Sequence, residues 1–169
     1  MTFQLKTIRD SIFDWVRDYS LSNCFPSLVE NHILWADQDG HQPKPPYITL
    51  KIISGPTKIG SMDEMFMDET TNTLKVDGLR TITLNIQVFG SDALEIMTRL
   101  EASLQFPQVA EYFRAKDMSA YDNSGITDVT ELLETIYEQR TSMDVFFYVP
   151  YEFETNLKTI ETVEVSQGT

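Results

Sequence analysis

Gly78-Leu79-Arg80-Thr81-Ile82-Thr83-Leu84-Asn85-Ile86-Gln87-Val88-Phe89-Gly90 decides the fold class. Ile82, Leu84, Ile86 and Val88 take every second position, and Thr81, Thr83, Asn85 and Gln87 fill the places between. Successive side chains of a strand point to opposite faces, so this alternation predicts one buried face and one polar face. A run of about nine residues at roughly 3.3 Å each gives a strand of about 30 Å. A glycine stands at each end. Beyond Gly90, Ser91 can cap a helix, and Asp92 and Glu95 suit its electropositive first turn. A long strand that turns directly into a helix is therefore expected.

The neighbours follow from similar patterns. In Tyr47-Ile48-Thr49-Leu50-Lys51-Ile52-Ile53, Ile48, Leu50 and Ile52 share one face. Pro43, Pro45 and Pro46 precede it and forbid helix or central strand there. Asn31 to Asp37 reads as a short strand, with a turn at Gln38-Asp39-Gly40-His41. From residue 54 to 77, two short runs flank a polar turn at Thr71-Asn72. That predicts a hairpin arm at about 54–78, which makes the Tyr47 and Gly78 strands antiparallel neighbours. In Met143-Asp144-Val145-Phe146-Phe147-Tyr148-Val149, Val145, Phe147 and Val149 face one side, and Phe146 and Tyr148 the other. With apolar groups on both faces, one face covers helices and the other meets something else, such as a second subunit. Residues 157–169 read as a C-terminal strand and tail, suited to an edge or to crossing onto a neighbour.

Helical spacing marks residues 3–20 through Phe3, Ile8, Ile12, Trp15, Val16 and Tyr19. A second helix is expected from Ser91 to Phe106 with Leu94, Met97, Leu100 and Leu104 on its stripe, and a short third after Pro107 with Val109, Tyr112 and Phe113. Asp122-Asn123-Ser124-Gly125 reads as a turn and Ile126 to Thr130 as a short strand; Leu132 to Tyr137 reads as a connector of no clear type. The expected fold class is α+β: a mainly antiparallel sheet with helices on one face and a protruding β-hairpin arm, all in a single domain, 1–169.

Composition narrows the function. The chain has 26 acidic residues against 13 lysines and arginines, a net charge of −13, and no basic stripe. Phosphate backbones are gripped by clustered cations, so ordinary nucleic-acid binding is excluded. No run of apolar residues is long enough for a membrane span, and Met1 to Lys6 lacks the pattern of a secretory leader. The single cysteine, Cys24, leaves no internal disulfide. His32 and His41 have no partner ligand at three- or four-residue spacing. Asp63, Glu64, Asp68 and Glu69 do not match the spacing of a calcium loop. Glycine-rich phosphate loops, Cys-x-x-Cys pairs and nucleophile elbows are missing, so no catalytic, cofactor or metal site is expected. Contact surfaces are the remaining chemistry. Met62, Met65, Phe66 and Met67 sit beside acids on the arm, and methionine suits adaptable contacts; the alternative is an ordinary extended hairpin. Together with Phe146 and Tyr148 they form the candidate interface set.

In chain order, Trp35-Ala36-Asp37, Pro45-Pro46-Tyr47-Ile48-Thr49-Leu50-Lys51-Ile52 and Ile59-Gly60-Ser61-Met62-Asp63-Glu64 are followed by Gly78-Leu79-Arg80-Thr81-Ile82-Thr83-Leu84 and Phe89-Gly90 with its helix. Ile126-Thr127-Asp128-Val129-Thr130 and Tyr137-Glu138-Gln139-Arg140-Thr141-Ser142-Met143-Asp144-Val145 complete the series. This series resembles the neck terminator, or tail terminator, proteins of tailed bacteriophages. The resemblance implies a structural protein of the virion neck, assembled in the host cytoplasm as a hexameric ring. Such a ring caps the tail tube, joins it to the head-side connector and, in contractile tails, touches the first sheath ring. DNA passes through its bore without specific binding, which suits an acidic lining that repels phosphate. Two other readings stand beside it: a head-side stopper or connector subunit, and an acidic DNA mimic that inhibits a DNA-binding enzyme.

Overall fold

The computed structural model describes residues 5–21, 28, 30–38, 42–60, 63–133 and 136–156. In order these form α1 (Leu5–Leu21), a 3-10 turn (Glu30–His32), β1 (Ile33–Trp35), β2 (Tyr47–Lys58), β3 (Glu64–Asp68) and β4 (Thr73–Phe89). Then come α2 (Ala93–Ser103), α3 (Pro107–Arg114), β5 (Ser119–Asn123), β6 (Thr127–Asp128), β7 (Glu131–Leu133), β8 (Ile136–Glu138) and β9 (Arg140–Asn156). The fold is α+β. The main sheet runs β1-β2-β4-β9-β5, with β3 on β4 and β6 on β9, while β7 and β8 pair separately. Only β1 with β2 is parallel among these pairs; the rest are antiparallel.

β4 is the axis. It pairs with β9 without a break from Thr73↔Asn156 to Phe89↔Arg140. The alternation read in the sequence holds: Ile82, Leu84, Ile86 and Val88 are buried, and so are Met143, Val145, Phe147 and Val149 opposite them. Helices cover this face with Ile8, Ile12, Trp15 and Val16 from α1, Ile96, Met97 and Leu100 from α2, and Val109 and Phe113 from α3. Trp15 is a core residue. Its ring meets Phe113 and Phe147 edge-on at 5.6 and 6.3 Å between centroids, and its indole N–H donates to Ser103 Oγ at 3.0 Å. A buried indole needs such an acceptor.

Several boundaries differ from the expectation. β4 does not begin at Gly78 but runs through it, for a reason given below. α2 begins at Ala93, and neither Ser91 nor Asp92 supplies a side-chain cap. Its buried stripe is Ala93, Ile96, Met97, Leu100 and Ser103, while Leu94 is 60% exposed. The Thr141 hydroxyl donates to the Ala93 carbonyl at 3.1 Å and ties that residue to the sheet. With about 100° between successive helix residues, Leu94 must then turn outward. Gly90 sits at φ +116°, where a Cβ would press on Pro46 Cα at 2.9 Å, so the strand-to-helix turn requires glycine. The strand expected from Asn31 to Asp37 shrinks to Ile33–Trp35 behind a 3-10 turn. Asp122 and Asn123 end β5 rather than open a turn, and the connector after Thr130 is the β7–β8 hairpin. Phe3, Cys24, His41, Met62 and the expected strand and tail at 157–169 lie outside the described residues.

Candidate functional site

β4 and β9 outrun the helices. Past Arg80 and Val149 they continue side by side to Thr73 and Asn156, and β3 lies along the other edge of β4. The hairpin read around Thr71-Asn72 is β3 with the start of β4, and β9 adds a third strand to it, so the arm is a ribbon of three strands. Residues 54–58 belong to the end of β2, whose pairing with β4 is interrupted by register shifts after Ile52 and after Ser54. β3 then takes up the same edge of β4.

The register sorts the arm into two unlike faces. Met65 stands opposite Val76, which stands opposite Phe153; Met67 stands opposite Leu74, then Thr155. Directly opposed residues share a face, and strand parity puts this set on the same face as Ile82 and Val149, the face the helices cover elsewhere. Here Met65 is 67% exposed, Met67 56% and Phe153 51%, with Leu74 and Val76 half-buried. The other face carries Glu64, Asp77 and Glu152 in one row, Phe66, Lys75 and Glu154 in the next, then Asp68, Thr73 and Asn156. Lys75 Nζ lies 2.6 Å from Glu154 Oε1. Phe66 is thus separated from Met65 and Met67, although all three are exposed. Leu74, Val76 and Phe153 escaped the sequence reading. Their period-2 spacing was visible, but their place beside Met65 depends on register.

An ion pair locks the base of the arm. Arg80 is only 7% exposed, and its guanidinium donates to both oxygens of Asp63, Nη1 to Oδ1 at 2.7 Å and Nη2 to Oδ2 at 2.8 Å. The guanidinium also lies 4.2 Å from the centre of the Tyr151 ring, and Lys58 Nζ is 3.5 Å from Asp63 Oδ2. Such a planar fork is the strong form of ion pair. The Arg80 hydrogen bonds hold the Asp63 carboxyl below its usual range, and the same bonds raise Arg80. A Cβ on Gly78 would overlap Asp63 Oδ1 and crowd Arg80 Nη1. Gly78 is mid-strand because this clamp needs the space. Asp68, meanwhile, is held low first by Thr71 and then by the Thr70 amide, which donates to Oδ1 at 2.9 Å. Asp63 and Asp68 are each committed to local partners.

Phe146 and Tyr148 are half-buried on the helix-free face. Tyr121 of β5 covers them from the side, stacked on Tyr148 at 4.0 Å and 6.0 Å from Phe146. Further along the same face, polar groups satisfy one another. Asn85 Nδ2 donates to Asp144 Oδ1 at 2.6 Å and to Ser142 Oγ at 3.0 Å, and Gln87 Nε2 donates to Asn85 Oδ1 at 2.9 Å. Arg140 Nη2 completes the chain by donating to Gln87 Oε1 at 2.6 Å. An open concavity of about 1080 Å³ beside the start of α2 is lined by Leu94, Arg99, Tyr137 and Arg140 among others. Among the described residues no group of three or more His, Cys, Asp or Glu side chains could hold a metal ion, and no helix is long and apolar enough to cross a membrane.

No curated protein matches this sequence. Among solved structures, the chain is similar to the cap that terminates the tube of an anti-feeding prophage, seen by cryo-electron microscopy. The TM-score is 0.45 at 10% identity, and the likeness covers 98% of this chain and 62% of that one, so this chain spans less than two thirds of that protein's length. The family model for phage neck terminator proteins matches residues 6–169, nearly the whole sequence, and the chain therefore belongs to the phage neck terminator family.

Proposed function

We propose that the protein is the subunit of a hexameric ring that ends the tail tube and joins it to the head-side connector, with DNA passing through an acidic bore. Residues 1–169 act as one domain in this reading, and the role is structural rather than catalytic. Family membership supports the tail-terminating role. The observation that carries the ring is a pair of apolar patches on opposite faces of one sheet: exposed Met65, Met67 and Phe153 on one, and on the other exposed Tyr121 packed over half-buried Phe146 and Tyr148. Unlike patches pointing opposite ways favour head-to-tail contacts, the kind from which a ring is built when the rotation between copies closes.

Charge fits the passage of DNA. The chain carries −13, and the described arm residues set Glu64, Asp68, Glu69, Asp77, Glu152 and Glu154 against Lys75. Such a surface repels phosphate and leaves DNA free to slide. The partners of the ring are the tail tube protein, the connector and, in a contractile tail, the sheath; its place is the virion neck.

Light scattering on the purified chain, alone and with isolated tail tubes, tests this. A hexamer, or a monomer that assembles only on tubes, is expected. A stable isolated dimer, or indifference to tubes at every concentration, overturns it. Labelled virions viewed in negative stain should carry the label at the top of the tail, not inside the head.

A further inference from the structure

We infer that residues 157–165 of one copy add as an extra strand along the free edge of β3 in the next copy, with Val163 and Val165 beside Met65 and Met67. This rests on the ring proposed above and names a main-chain contact that links neighbouring subunits.

Both edges of the arm are open. β3 pairs with β4 on one side and, among the described residues, with no strand on the other. β5 and β6 cover the outer edge of β9 between Thr141 and Tyr148, and beyond Tyr148 no described strand does. A free edge carries a row of unpaired N–H and C=O groups, ready to pair with another extended segment.

The donor follows from where β9 stops. Asn156 pairs with Thr73, and Thr73 with Asp68, so β9 delivers the chain to the far tip of the arm. The sequence continues Leu157-Lys158-Thr159-Ile160-Glu161-Thr162-Val163-Glu164-Val165. Its threonines, valines and isoleucine are strand formers. A return along its own β9, or around the tip to its own β3, needs a turn directly after the paired Asn156. Leu157 to Glu161 contains no glycine, proline, asparagine, aspartate or serine to make one. A run that stays extended from the tip spans about 30 Å, at roughly 3.3 Å per residue, and reaches a neighbour.

Side-chain register selects β3 over β9. Val163 and Val165 point to one face of such a strand, and Glu164 between them points to the other. Beside β3, in either strand direction, the valines stand next to Met65 and Met67, and Glu164 stands opposite Phe66. Thr162 then meets Glu64 or Asp68, and Glu161 falls past the end of β3. Beside β9 the valines would match Tyr151 and Phe153, or Phe153 and Thr155, and Glu164 would oppose Glu152 or Glu154. Like charges directly opposite each other destabilise a sheet. Main-chain hydrogen bonds carry the affinity in strand addition, and the side chains set the register.

Disulfide trapping in a Cys24→Ser background tests the exchange. Single-cysteine proteins Phe66→Cys and Glu164→Cys are mixed under conditions where the parent assembles, alone or on tail tubes, and then oxidised. Cross-linked dimers should form in the mixture many times more than in either protein alone, and the double variant should give a ladder ending in a closed oligomer. Glu154→Cys, on β9, should not link to Glu164→Cys. Val163→Pro, which removes a main-chain donor, should leave urea unfolding unchanged and weaken assembly several-fold. A cross-linked monomer in the double variant would mean that the segment folds back on its own arm. That result, efficient linking through Glu154→Cys, undiminished assembly of Val163→Pro, or assembly without the Phe66→Cys to Glu164→Cys link overturns the exchange and leaves the ring standing. A parent that assembles under no condition removes the ring and the exchange together.

Discussion

Arg80 grips Asp63 through two parallel N–H···O bonds of 2.7 and 2.8 Å, over a backbone position kept clear by Gly78. The pair joins the loop between β2 and β3 to the β4–β9 ribbon, and Tyr151 closes over the guanidinium. It converts a projecting ribbon into a braced one.

Gly78→Ala should release this brace. The new methyl group meets the ends of two side chains rather than backbone, so the clamp moves and the sheet does not. The expected result is faster amide exchange over Glu64–Asp68, with the core of β4 and β9 around Leu84 and Val145 still protected. Unchanged exchange in β3 would mean that the ion pair does not brace the arm.

Acid should release it too. The Asp63 carboxyl is held low by the Arg80 hydrogen bonds. In the unfolded or opened chain it titrates near the ordinary value of about 3.9. Below that value the opened state binds the extra proton, so the brace is fully present above about pH 4 and is lost as pH falls through the lower folded value. Exchange over β3 should therefore accelerate in strong acid, and Asp63→Asn should remove this pH dependence.

Trp15→Ala should cost about 3–5 kcal/mol, the usual range for deleting a large buried aromatic. It removes both edge-on ring contacts and the donor to Ser103. Urea unfolding followed by circular dichroism measures the loss. Trp15→Phe keeps most of the volume but leaves Ser103 without that donor, and a smaller loss of about 1–3 kcal/mol is expected.

Met65→Ser with Met67→Ser should leave the isolated fold nearly unchanged, within about 0.5 kcal/mol per site, because both side chains are exposed. Self-association or tube binding should fall sharply in the same protein. Equal loss of both properties would make the methionines part of the fold rather than of a contact.

Salt should strengthen self-association. Copies carrying −13 repel at low ionic strength, and at about 0.15 M the screening length shrinks to about 8 Å. Light scattering across a salt series is expected to show larger assemblies as salt rises. Weakening by salt would point to charge pairs as the binding force.

Much was readable along the chain because strand parity and helix spacing are local. The alternation from Thr81 to Val88 told which side chains are buried before any partner strand was known, and it agreed with the α+β class, the antiparallel pairing with β2 and the core role of Trp15. Parity alone could also have parted Phe66 from Met65 and Met67. Other features belong to the tertiary structure. The third strand of the arm joins residues 73–79 to 150–156, and nothing local to either segment states their register. Gly78 resembles a strand end until Asp63 is placed above it. Leu94 reads as a core residue until the Thr141–Ala93 bond sets the phase of α2. Local pattern determines which way a side chain points relative to its own neighbours; what it then meets is decided by chain segments far away in sequence, through packing and hydrogen bonds that only the folded molecule assembles.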